Sequence, residues 1–301
     1  GGEYLFLSRI FHPLFGFLSG WVSFIVGFTA AIAASSIGFS EYLLRAFPEV
    51  SSFMVNNLRF SPLTTQKILS LLLILSFTIL HSRGLKMGIK VQNILTILKV
   101  LLIVGLVGIS LLSKKGDISH FTMEKSIDFE WASWKTIGLS LMWIMFAYSG
   151  WNASTYIGSE IKNPLRNLPA SLLAGTFIVI LLYIALNIVF VYAIPSSEMK
   201  DMISVGGLAM GKLFSPVAER MFSILISFAL FSSLSAFIIV GRRVYYSMAK
   251  DGFFFKSMAR GHPRFEVPST AIIMQGTIAA VFVLSGTFEQ ILTYLGFSLG
   301  I

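Results

Sequence analysis

Runs of roughly 20 apolar residues recur along the chain, parted by short stretches in which charge, Pro, Asn and Ser collect. At 1.5 Å of rise per residue each run makes a helix long enough to cross a hydrocarbon layer of about 30 Å. The pattern predicts spans near 14–37, 65–81, 89–112, 135–157, 170–194, 217–241 and 268–286, with an eighth beginning near 288. The fourth differs from the rest. In "FAYSGWNASTYIGSEIKNP", residues 146–164, an apolar run fills with Gly, Ser, Asn, Tyr and Trp before any charge appears.

Composition fixes the class. Hydrophobic residues make up 55% of the 301, charged residues only 12%, and mean hydropathy is +0.80; a soluble domain carries about 25% charge. The chain reads as one all-α transmembrane domain, residues 1–301. Its net charge of +9 is spread over short loops, with no basic stripe or stacking platform for nucleic acid, so anionic lipid headgroups are the expected partner. With Gly1 placed inside, the inner segments hold 12 Lys and Arg and the outer ones ten, with Lys99 left over. That excess orients the chain. Gly1 and Gly2 stand where an initiator Met would, and the last span stops short, so a fragment of a longer protein is expected. Cysteine is absent, which removes disulfides, thiolate metal ligands and any covalent tether to a subunit.

Two motifs carry no chemistry. "GGLAMGK", 206–212, has phosphate-loop spacing, but Leu213 follows where Ser or Thr should hold magnesium, and no strand precedes it. The four histidines, His12, His81, His120 and His262, fall in loops or at span ends without i, i+4 pairing, so no metal site is expected. No cofactor is expected either, and for want of acid, base or metal residues within the spans the chain does not read as an enzyme.

One ionisable residue sits deep. Lys99, in "VQNILTILKVLLIVGLVG", lies about 15 Å of helix from either interface, too far for its stem to snorkel. Placing a lysine there costs at least about 2.5 kcal/mol and calls for a polar cavity or a partner. It is either a structural cation bonded to carbonyls of a broken helix, or a group that gains and loses a proton during a cycle. In the fourth span, Gly150 beside Ser149 and Asn152 weakens a helix through backbone entropy and competing hydrogen bonds. The backbone groups so freed are tolerated in a membrane only where they line a cavity, and discontinuous helices near the midplane point to a transporter site. A close helix–helix contact at small residues would explain Ala147, Ser149 and Gly150, though not Trp151 and Asn152.

"FAYSGWNASTYIGSEIKNPLRNLPASL" resembles the sixth helix and following loop of the amino acid–polyamine–organocation superfamily, in its L-type amino acid transporter branch, where F-A-Y-x-G-W-N and E-x-x-N-P-x-R-N-L-P recur. "GGEYLFLSRIFHPLFGFLSGW" is similar to that family's end of helix two, inner loop and start of helix three. "GRRVYYSMAKDGFFF" is similar to the cytosolic end of helix eight, and "TFEQILTYLGF" resembles helix ten. The resemblance covers the whole chain and implies two inverted five-helix repeats, with helix one and the last helices outside it.

It also implies a secondary amino acid transporter in the cytoplasmic membrane, a permease or exchanger working by alternating access; a non-transporting amino acid sensor on the same scaffold is the alternative. By that resemblance Phe146 is the gate aromatic. The backbone around Phe146, Ala147 and Ser149 accepts the substrate ammonium, Tyr148 and Gly150 belong to the same substrate-binding stretch, and Trp151 and Asn152 line the side-chain region. Lys99 takes the place of a sodium ion, facing Ser232, Ser233 and Ser235 of helix eight. Glu160 is expected to pair with Arg242 and Arg243 as an inner gate. Ser149, larger than the glycine often found there, favours smaller substrates. The loop at 38–64 lacks the cysteine by which some branches hold a glycoprotein, as expected of a prokaryotic carrier without that partner.

Overall fold

The structure, a computed structural model, describes residues 2–82, 88–122, 131–158, 161–200, 202, 204–259, 268–286 and 288–299. They fold into helices joined by short loops, and no strand occurs among them. Helix α1, Gly2–Ile10, is followed by α2, Pro13–Val22, a π-helical segment, Ser23–Phe28, and α3, Thr29–Ala46, which run on as one rod over 13–46. Then come α4, Pro48–Leu58, α5, Pro62–Ser82, and α6, Gly88–Leu112. The pair α7, Trp131–Ala147, and α8, Ala153–Tyr156, occupies the fourth predicted span. The remainder comprises α9, Pro164–Ala193, the short α10, Ser196–Met199, α11, Val205–Leu213, α12, Pro216–Lys250, α13, Ser269–Ser285, and α14, Phe288–Leu299.

The predicted spans are found in the predicted order, with three changes of extent. The first and sixth are longer, 34 and 35 residues, with α3 and α12 packed against one another, and the fifth, 30 residues, begins earlier, at Pro164. The fourth is broken. Helix starts follow local chemistry: Pro62, Pro164 and Pro216 stand at first helical positions, where their missing N–H costs nothing. Ser215 caps α12 by accepting from the Ala218 amide at 3.3 Å.

The centre is built on α3. Ala30, Ala31, Ala33, Ala34 and Gly38 are buried there, and side chains this small let α5, α12 and α13 approach closely. Ile74, Phe77, Leu234, Ile238, Ile272, Ala279 and Leu295 close around them. Buried hydroxyls are paired across the contact: Ser40 Oγ lies 2.9 Å from Ser70 Oγ, and Ser70 Oγ 3.2 Å from the Ser36 carbonyl. In contrast α6 and α9 leave Ile97, Leu101, Leu173 and Phe177 exposed.

At the end of the molecule where α1 meets the C-terminal end of α12, a second core gathers Tyr4, Phe24, Tyr156, Tyr245, Met248 and Phe254. Its rings meet edge to face, Phe24 with Tyr245 at 4.7 Å and Phe24 with Phe254 at 5.0 Å.

Candidate functional site

Helix α7 ends at Ala147, and the Tyr148 amide still reaches the Ile144 carbonyl at 3.0 Å. Gly150 then takes φ +84, a left-handed conformation that only glycine adopts without strain. The chain turns, and helix resumes for one turn in α8. The predicted weakness at Ser149, Gly150 and Asn152 is a real break.

A cavity of about 240 Å³ opens at the break, lined by Ala147, Tyr148, Ser149, Gly150 and Trp151, and on α9 by Gly175, Thr176, Val179 and Tyr183. The Tyr183 hydroxyl donates to the Ala147 carbonyl at 2.6 Å, and its ring meets Tyr148 edge to face at 5.0 Å. An orphan carbonyl of the α7 C-terminus is thereby held in place, with its second lone pair still able to accept. A cation in the cavity would meet the negative end of the α7 dipole.

The structure brings together five of the seven residues expected to bind substrate. Phe146 closes the last turn of α7, but its side chain lies outside those described. Asn152 does not line the cavity. Past the turn at Gly150 it faces α1, is 9% exposed, and its amide donates to the Glu3 carboxylate. Sequence reasoning missed Tyr183 and Thr176, although Thr176, Tyr183 and Asn187 form a polar stripe at helical spacing through an otherwise apolar span.

Lys99 is half-buried on α6, and its ammonium points to α12, with Nζ 3.4 Å from Ser233 Oγ. Ser233 in turn donates to the Ala229 carbonyl at 3.0 Å. The register separates the three serines. Ser235 turns to α5, 3.1 Å from His81 Nε2, and Ser232 is fully buried. Lys99 and Ser233 therefore form a locus distinct from the cavity lining. Arg242 and Arg243 are half-buried on α12 and both have partners; Glu160, expected to meet them, lies outside the described residues.

Long apolar helices, a small-residue core and one helix interrupted at a polar cavity define an all-α, multi-pass membrane protein of the transporter class. The amino acid permease family model matches residues 1–297, and the chain belongs to that family. It is similar to the b(0,+)-type amino acid transporter 1 of Mus musculus, 26% identical over 303 residues, covering 99% of this chain and 59% of that protein. It is also similar to the serine/threonine exchanger SteT of Bacillus subtilis (strain 168), 27% identical over 288 residues, covering 94% and 61%. The human Asc-type amino acid transporter 1 is 24% identical over 301 residues, covering 99% and 55%. The chain thus spans about six tenths of the length of these curated relatives.

Proposed function

We propose that this chain forms the substrate-handling portion of a secondary transporter for small neutral amino acids, working by alternating access and without cofactor. The observation that carries the reading is the break at Gly150, with the Ala147 carbonyl pinned by Tyr183 at the edge of a 240 Å³ cavity. The half-helix end suits an ammonium group, and the cavity is below the roughly 300–1,000 Å³ of sites for drug-sized ligands. A relative named for serine/threonine exchange supports the small-substrate reading. In this reading Phe146 gates the site, Ala147 to Trp151 form its wall, and Asn152 acts from behind the wall. Lys99 and Ser233 fill a cation position, with Ser232 and Ser235 shaping α12 around them. With no cysteine in the chain, a disulfide-linked subunit has no attachment point here.

The deciding experiment is counterflow in proteoliposomes loaded with serine, with and without a pH gradient. Exchange of labelled serine or threonine is expected; binding without any flux would end the transporter reading.

Glu160 with Arg242 and Arg243 is proposed as an inner gate closing when the outer side is open. An exposed pair is worth under about 1 kcal/mol, so the effect is kinetic. Glu160→Gln should speed labelling of a thiol placed on the inner side, and unchanged labelling and flux would remove the gate.

A further inference from the structure

Helix α1 comes before the long rod over 13–46, and its adjacent residues Glu3 and Tyr4 hold two different elements. The Glu3 carboxylate accepts from the Asn152 amide, and the Tyr156 hydroxyl faces the same carboxylate, so both contacts are to α8, just beyond the helix break. Tyr4, 1% exposed, donates its hydroxyl to Asp251 Oδ2 at 2.7 Å, just past the end of α12. Contact at Gly2 is equally close, since a Cβ there would stand 2.0 Å from the Tyr156 ring. The segment after the break is thus tied to α12 through α1.

Among the described residues Glu3 makes no ion pair. The groups packed around it are neutral or acidic: Tyr156 from α8, Tyr245 of α12 behind it, and Asp251 on Tyr4, while α2 carries no titratable side chain. Among the described residues this carboxylate has donors but no ion-pair partner. Burial raises its pKa above the ordinary carboxylate value, and the Tyr156 hydrogen bond lowers it by less.

We infer that Glu3 is a proton-binding latch, closing α8 onto α1 when protonated and releasing it when ionised. As the neutral acid it keeps the Asn152 amide on its carbonyl oxygen and can offer its own proton to the Tyr156 oxygen. As the anion it is a half-buried charge with no ion-pair partner among the described residues, and water is the better solvent for it. The sign follows from linkage: a group whose pKa is raised in the closed form binds its proton more tightly there, so falling pH favours closure and rising pH favours opening. No proton needs to cross the membrane, so this is regulation of one gate. It rests on the transporter reading only for its purpose, since the latch itself is read without substrate.

The test places a single cysteine at Ser154, on α8 between Asn152 and Tyr156, with any cysteine outside this chain replaced. Labelling by a membrane-impermeant maleimide from the α1 side is measured in the Glu3 parent and in Glu3→Gln, the neutral mimic. Taking the ratio at each pH cancels the pH dependence of the thiol itself. The parent-to-Gln ratio should be smallest at or below pH 4.5, the ordinary carboxylate value, and rise severalfold by pH 8. A ratio of one throughout, or faster labelling of Glu3→Gln at pH 8, overturns the latch. Should Glu3→Gln fail to insert, Asn152→Ala in the Ser154→Cys parent must label faster than that parent at pH 4.5, where the latch is closed; equal rates there overturn it too. Counterflow on the same vesicles fails separately if the protein carries no amino acid.

Discussion

Phe146 stands one residue before the end of α7, beside five consecutive residues, Ala147 to Trp151, that line the cavity. In the proposed gate role this ring serves exchange rather than the stability of the span. We predict that Phe146→Ala inserts normally yet loses nearly all exchange, whereas Phe146→Trp keeps a measurable part of it. Uptake by the alanine variant at the parent rate would show the ring to be ordinary packing. The residue scale also divides what could be read in advance from what could not. Lys99 was legible because a lone cation in an apolar run is costly, and the cost itself predicts a polar neighbour; Ser233 is that neighbour at 3.4 Å. The partner of Asn152 was not legible. Glu3 lies 149 positions away, and nothing local to Asn152 says that the turn at Gly150 swings it out of the cavity and toward α1.

At the scale of elements, the break is the feature on which the site depends, and Gly150 is the residue that permits it. No atom outside its neighbours lies within 4 Å of a Cβ built there, so space is no obstacle. Conformation is, because φ +84 is left-handed. Gly150→Ala should therefore cost about 1–2 kcal/mol through the backbone alone. We expect reduced exchange with little loss of expression, measured by counterflow and by thermal melting in detergent; a variant with unchanged exchange would mean that the turn is dispensable. Helix starts and the break were visible in sequence because Pro, Gly, Ser and Asn act locally. The π-helical segment at Ser23–Phe28 was not. Its rod is apolar on all sides, so hydrophobic spacing carries no phase from which an extra residue could be detected. Its trace is Thr29, whose hydroxyl donates to the Phe24 carbonyl at 2.8 Å and also to Ile25, occupying carbonyls that the wider turn leaves free.

For the whole molecule, the cation at Lys99 sets the ionic requirement. If its ammonium fills the place that a sodium ion would take, exchange should proceed unchanged when sodium is replaced by choline, and Lys99→Ala should cripple it. Sodium-dependent exchange in the parent, or normal exchange by Lys99→Ala, would reduce Lys99 to a structural role. The order of spans followed from hydropathy alone, since the bilayer imposes a similar minimum length on each. Which helix sits against which did not follow, because α3 meets α5, α12, α13 and α14 through small residues that advertise no partner. The π-helical segment has a consequence at this scale. One surplus residue turns everything beyond it by about 100° about the rod axis. That offset lets α2 present Phe17 and Trp21 to the aromatic cluster while α3, on the same rod, presents its alanines to α12. The rod behaves as a keyed shaft whose two halves are cut for different locks. Removing Gly27, whose Cβ position is unobstructed at closer than 3.8 Å, should restore an ordinary helix and misalign the halves. We predict a shortened rod that inserts but melts at markedly lower temperature than Gly27→Ala, which keeps the count; equal melting of the two would show that the phase of the rod is not what the fold requires.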